Sequence, residues 1–277
     1  MKNLIKHIRT ELSLTQIEFA NLLNTTQMTI NRWENNKSVP NDMACNRIFE
    51  LCKNKEIELT NFIISNYSGD DCLYHGSRKG LEGEIKPISR KECDFGRGFY
   101  MGDNPLHPLT LICREKNPIL YKIKFDYDDL KILDLNVDIN WALLISYNRQ
   151  YMENVKDSDI YKMHAHLLDG VDVVRGYIAD DRMYDVLNSF FELNITDEAL
   201  ISCLSALKLG QQVVAISEKA CKNIKVIEEY KINFLEQLIL KDISIKRRKE
   251  GNELSHKIEI EKRRQGLYFD EIIARGL

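Results

Sequence analysis

The sequence lacks the marks of a secreted, metal-bound or membrane protein. Its seven cysteines (Cys45, Cys52, Cys72, Cys93, Cys113, Cys203 and Cys221) are scattered, and no two stand as Cys-x-x-Cys. No Cys/His cluster has zinc-ligand spacing, so no metal is expected. An odd, dispersed set reads as reduced thiols in a cytoplasmic protein. No apolar run approaches the ~20 residues of a membrane span. The opening MKNLIKHIRTELSLTQ lacks the apolar core of a signal peptide, so no membrane partner is expected. Charge of one sign is also missing. Lys and Arg number 39 against 42 Asp and Glu, a net charge of −3 over 277 residues. Whole-molecule attraction to nucleic acid is thereby excluded, and any such affinity must come from a local patch. There is no internal repeat and no low-complexity tract.

What is present begins with helical periodicity over residues 2–35: Leu4, Ile5, Ile8 and Leu12, then Ile17, Ala20, Leu22 and Leu23, then Met28, Ile30 and Trp33. Ser13 and Thr15 are candidate caps, and Asn24-Thr25-Thr26 is a polar break between two helices. Ser38 to Asn41 stops the next helix, and Met43–Cys52 adds another amphipathic stretch. Lys53–Glu58 is polar, and Ser65–Asp71 reads as a linker. From Asp71 the texture changes to short apolar or aromatic runs bounded by glycine, CLYHGS and GRGFYMG, which suit strands. ILYKIKF, VDVVRGY, QVVAI and KNIKVIEEYKI read as further strands, and residues 140–168 and 183–208 as helices. Strands and helices mix without βαβ alternation, which predicts an α+β fold. The expected organisation is an all-α domain over 1–58, a mixed α+β domain over 71–232 and a charged helical tail over 233–277. The tail carries basic clusters at Lys246–Lys249 and Lys262–Arg264. Charge runs are usually solvated faces, but Leu235, Leu238 and Ile239 at helical spacing call for a buried stripe.

Leu14-Thr15-Gln16 through Leu23, a short turn, and Gln27 through Asn35 have the layout of a bracing helix and a reading helix. The string resembles the repressor-like, Cro-type helix-turn-helix family, in which LTQ-x-x-x-A precedes a turn and I-x-x-W-E. The match includes Ala20, Ile30, Trp33-Glu34 and Pro40. The resemblance implies a core of Ile17, Ala20, Leu23, Ile30 and Trp33. It implies DNA contacts from Gln16 and Arg32 to phosphates, and from Gln27, Met28 and Asn31 to base edges. The other reading of this nearly neutral module is a dimerisation or partner-docking domain.

In the second domain three stretches carry chemistry-bearing groups: Tyr74-His75-Gly76-Ser77, Asp94 to Met101, and Gln211 to Glu218. Singly each has a bland reading: a structural histidine, a glycine-tolerant bend, a buried strand. Together they resemble the ADP-ribosyltransferase superfamily, in the branch with a His-Tyr-Glu triad. They are closer to a bacterial toxin- or defence-associated group of unknown function (DUF3990-like). That group also shares Trp141…Asn148-Arg149 and the DVVRGYIADD segment.

The resemblance implies that NAD is a substrate. His75 would hydrogen-bond a ribose hydroxyl, and Gly76 and Ser77 would receive the nicotinamide amide. Tyr100 would stack on its ring. Gly98 would line the pocket, and Arg97 or Arg149 would pair with the pyrophosphate. At the triad's third position stands Gln212, which has no charge for a developing cation. Glu218, or Asp180 or Asp181, is then the alternative carboxylate, or the domain binds NAD without transferring it. Asp180-Asp181-Arg182 also reads as a helix cap with a local ion pair, and Glu218 as an ordinary first-turn residue. The functions left open are a transferase acting on a nucleic acid or protein acceptor, an NAD glycohydrolase, and a transcriptional regulator that senses NAD or ADP-ribose. The resemblance further suggests an antitoxin partner, and the near-neutral head suggests a homodimer.

Overall fold

The structure is a computed structural model that describes residues 4–178, 181–207, 210–263 and 265–275, with the backbone alone for 181–183. Four helices open the chain: α1 (Leu4–Glu11), α2 (Gln16–Leu22), α3 (Gln27–Glu34) and α4 (Asp42–Asn54). Their starts are written in short polar side chains. Thr15 and Glu18 form a reciprocal capping box on α2. Thr26 accepts from Thr29 N, and Asn41 from Ala44 N. Phe19 and Ala20 of α2 and its C-cap Leu23 are buried beside Ile8, Ile30 and Ile48. Ile17, expected in this core, is instead 56% exposed. Burial at 19, 20 and 23 sets the helix phase one position away from it.

A fifth helix, α5 (Thr60–Tyr67), occupies part of the segment expected to be a linker. Leu59 at its N-cap, Ile63 and Tyr67 stand at four-residue spacing and are all buried. The chain then builds one seven-stranded sheet: β1 (Leu73–Ser77), β2 (Phe99–Gly102), β3 (Ile119–Phe125), β4 (Ile132–Asp134), β5 (Val173–Tyr177), β6 (Gln211–Ala215) and β7 (Ile224–Lys231). Its spatial order is β4-β5-β6-β2-β1-β3-β7, and only β4 and β5 run parallel. The fold is α+β, as the lack of βαβ alternation predicts.

Between strands lie α6 (Leu106–Ile112), α7 (Ile139–Asn148), α8 (Asp159–His166), α9 (Asp181–Phe191), α10 (Asp197–Ala206) and α11 (Glu218–Lys222). Val174 and Val214 face α7, α9 and α10 in a core with Trp141, Leu144, Leu187 and Leu200. The alternate residues Phe99, Met101, Ile123, Val213 and Ala215 fill the opposite face.

The 29-residue helix α12 (Phe234–Lys262), followed by α13 (Phe269–Arg275), is no solvated tail. Leu235, Ile239, Leu240 and Ile243 share one core with head residues Leu4, Ile8 and Ile48 and with Tyr74 and Leu120 of the sheet. Further along, Gly251 and Ser255 are buried, and the Cys203 thiol of α10 donates to Ser255 O. The head and the sheet are thus joined through α12. Among the described residues no helix is long and apolar enough to cross a membrane.

Candidate functional site

The site forms where two strands part. β1 pairs with β3 over five residues but with β2 at Tyr74↔Gly102 alone. Beyond that pair the seam opens, and the His75 ring fills it, stacked on Phe99 with centroids 4.2 Å apart. His75 Nδ1 lies 2.8 Å from Tyr100 O. A carbonyl can only accept, so Nδ1 carries the proton and the neutral ring presents Nε2 as an acceptor. Burial holds the ring's pKa below its ordinary 6.5, against the opposing pull of that hydrogen bond.

A cavity of about 550 Å³ opens beside this seam. Its lining includes His75, Lys79, Lys86, Ile88, Phe99 and Tyr100, with the irregular stretch 79–89 as its outer wall. That stretch is tied down at Ser77, whose hydroxyl donates to Gly80 O and accepts from Gly80 N. Tyr121 Oη takes Leu81 N, and Ser89 Oγ takes Gly98 N. The Ser77 hydroxyl is therefore committed to a turn. Gly76 is bare for a packing reason, since a Cβ there would lie 2.9 Å from Pro108 O and 3.0 Å from Ile112 of α6. A Cβ on Gly98 would collide with Val214 at 2.4 Å, so this glycine lets β2 and β6 approach.

The remaining expected residues gather on the other side of β2. Tyr100 opposes Val214 and Gly102 opposes Gln212, which puts Tyr100 and Gln212 on the α7 face while His75 and Phe99 occupy the opposite one. The three triad positions therefore do not converge on one side. Tyr100 Oη donates to Gly96 O and accepts from Phe95 N. Burial pushes its pKa up, and the nearby Asp94 charge adds to the shift.

Gln212 is buried, and its Nε2 donates to Asp94 Oδ2 at 2.8 Å and Tyr177 O at 2.9 Å. Both partners only accept, which fixes the amide's orientation. Arg149, expected on a pyrophosphate, instead pairs with Asp94 Oδ1 through Nε and Nη2 at 3.0 and 2.5 Å. Asn148 donates to Asp94 O at 3.0 Å. Asp94 is thus the central carboxylate of this cluster. Sequence reasoning passed it over as part of a glycine loop, although the paired Asn148-Arg149 was already a signal.

Arg97 is exposed, with no hydrogen bond or ion pair among the described residues. Glu218 is exposed in the first turn of α11, which Ser217 caps. It stands at the end of β6 opposite Gln212, so the strand does not curl back to bring its carboxylate to the site. Asp181 opens α9, but its side chain, and all of Asp180, lie outside the described residues.

In the head, Gln27, Met28, Asn31 and Arg32 form the exposed face of α3. Gln16, expected on a phosphate, donates to Glu34 Oε2 at 2.7 Å, and Arg9 pairs with the same carboxylate at 2.5 Å. Gln16 therefore braces α2 against α3.

No curated protein and no solved structure matches this chain. Residues 5–58 match a helix-turn-helix family, and the head has the geometry of a DNA-binding module of that class. Residues 72–226, more than half of the chain, match the family described as "Protein of unknown function (DUF3990)". The open seam, the loop tied by Asp94 and the capping wall all fall within that span, and the chain belongs to this family.

Proposed function

We propose that this protein is an NAD-dependent ADP-ribosyltransferase carried on a DNA-binding head. The setting that the family resemblance suggests is toxin–antitoxin control or phage defence. The observation that supports it best is His75, held in one tautomer and lining a 550 Å³ cavity. That volume falls in the range of small-molecule sites, about 300–1,000 Å³.

A neutral imidazole acceptor suits a ribose hydroxyl, and Lys79 on the wall suits a phosphate, while Lys86 is paired with Glu84 at 4.0 Å. Bound NAD would supply a labile bond between nicotinamide and ribose. The chain's part is to orient the dinucleotide through His75 and keep water away with Leu81, Ile85 and Ile88. The nearest buried carboxylate to the Gln212 carboxamide is Asp94, one hydrogen bond behind it.

The engagement of that carboxamide by Asp94 and Tyr177 favours a second function, a DNA-binding regulator that senses NAD without consuming it. Labelled NAD incubated with the protein and cell lysate separates the two. Label on a macromolecule supports transfer, and free nicotinamide without label on a macromolecule indicates hydrolysis. A rise in melting temperature with neither indicates sensing. His75→Ala is expected to abolish turnover and the NAD-induced shift. Full retention of both by that variant rules out the cavity.

A further inference from the structure

Tyr100 connects the cavity to the α7 face of the sheet. Its carbonyl, on the side where β2 has parted from β1, accepts from His75 Nδ1 at 2.8 Å. Its phenol lies on the α7 face, where Oη accepts from Phe95 N at 3.0 Å and donates to Gly96 O at 2.8 Å. The hydroxyl therefore clasps the turn at Phe95-Gly96. Gly96 O also accepts from Ser89 Oγ at 3.3 Å, and Ser89 Oγ accepts from Gly98 N at 3.0 Å. Ser89 and Gly98 line the cavity, so the same turn holds its wall.

That turn is anchored from behind by Asp94. One carboxylate oxygen takes Gln212 Nε2, the other takes Arg149, and the main-chain carbonyl takes Asn148 Nδ2. Phe95, the next residue, is 1% exposed, and its ring tip lies 2.9 Å from where a Cβ on Gly176 would stand. Asp94 itself is outside the cavity lining. One peptide bond leads from it to Phe95 N, and one hydrogen bond leads from there to the residue whose carbonyl holds His75. A tyrosine that serves only to stack on nicotinamide needs just its ring face. This phenol instead commits its hydroxyl, as donor and as acceptor, to the backbone of the turn.

We infer that Asp94 and Tyr100 are positioning residues: Asp94, held by Gln212 and Arg149, fixes the turn that the Tyr100 hydroxyl clasps, and that turn sets the cavity wall and the tautomer of His75. The tautomer claim stands on these bonds alone, and its consequence for binding rests on the NAD cavity proposed above.

The test uses the full chain with ¹⁵N-labelled histidine. Ring correlation spectra report which nitrogen carries the proton in each of the six histidines, and His75→Gln identifies the His75 signals. His164 is the internal control, since it is buried on α8 with its own Nδ1 bonded to Ile160 O at 2.8 Å. Wild-type His75 is expected in the Nδ1–H form. Tyr100→Phe keeps the ring and removes the hydroxyl, and Asp94→Asn removes the charge that Arg149 holds. Each is expected to bring in the Nε2–H form of His75, because a ring loosened from its carbonyl returns toward the tautomer mixture of free imidazole. His164 should not change. The double variant should alter His75 no more than Tyr100→Phe alone, because effects carried on one path do not add. Carba-NAD, which lacks the labile glycosidic bond, should bind Tyr100→Phe about tenfold more weakly than wild type, the loss expected of one hydrogen bond. A His75 spectrum or a carba-NAD affinity untouched by Tyr100→Phe overturns the inference, and so does an Nε2–H ring in wild type. A His75 spectrum untouched by Asp94→Asn, additive effects in the double variant, or a His164 signal that moves with His75 also overturns it, the last by showing general loosening. If wild type binds no carba-NAD while the spectra behave as expected, the NAD function fails and the positioning role stands.

Discussion

At Gln212 a single amide decides which chemistry the strand head can offer. Its Nε2 donates to Asp94, whose other oxygen is held by Arg149. A glutamate in its place would set two carboxylates within hydrogen-bond distance in a buried site, with one donor lost. Like charges so placed resist ionising together, and an unmatched buried charge is destabilising by several kcal/mol. Gln212→Glu is therefore expected to lower stability by on the order of 3 kcal/mol at neutral pH. The clash raises the pKa of the carboxyl pair in the folded state, so the deficit is present at neutral pH and shrinks as acidification returns a proton. Urea denaturation at two pH values measures this, and a deficit independent of pH would refute the repulsion. The glutamine is legible in the sequence as a departure from the triad. Its cause is not, because Asp94 precedes it by 118 residues and only the folded sheet brings them together.

Among elements, α5 and α12 show how much depends on one buried contact. Tyr67 Oη donates to Glu236 Oε1 at 2.7 Å, and Glu236 also caps α12 through Asn233 N. Glu236 is wholly buried, and burial raises its carboxyl pKa. Tyr67→Phe removes the hydroxyl and leaves a buried oxygen without that donor, a loss of about 2 kcal/mol. Chemical denaturation measures it, and a change below about 0.5 kcal/mol, the range of ordinary surface substitutions, would show that the bond carries little. The capping residue Thr15 made the start of α2 readable in advance, because a cap acts within three residues of itself, whereas Thr26 and Asn41, read as part of a polar break and of a helix stop, turn out to cap α3 and α4. Helix α5 was hidden because its last turn runs into Ser65–Asp71, a stretch that reads as a linker, and Ile17 looked like core because periodicity defines a stripe only to within one position.

At the scale of the whole molecule, the head and the α+β domain share a core through α12. The chain's two tryptophans report on its two ends, Trp33 in the head and Trp141 under the sheet. Trp33→Phe and Trp141→Phe each leave one reporter, and the two fluorescence transitions are expected to coincide in denaturant midpoint. Midpoints separated by more than about 0.5 M urea, well beyond coincident two-state behaviour, would mean that the head unfolds independently. Such coupling gives DNA binding and the His75 cavity a common mechanical frame.

The sequence by itself determined the local features: caps, the helix-turn-helix layout, the α+β class and the strands that bear His75, Tyr100 and Gln212. Each depends on periodicity or turn chemistry within a few residues. Tertiary structure alone decided that His75 and Gln212 face opposite sides of the sheet, that Arg149 serves Asp94, and that α12 is core. These outcomes depend on strand register and on partners dozens of residues apart, and a one-residue shift in register would reverse which face each side chain takes.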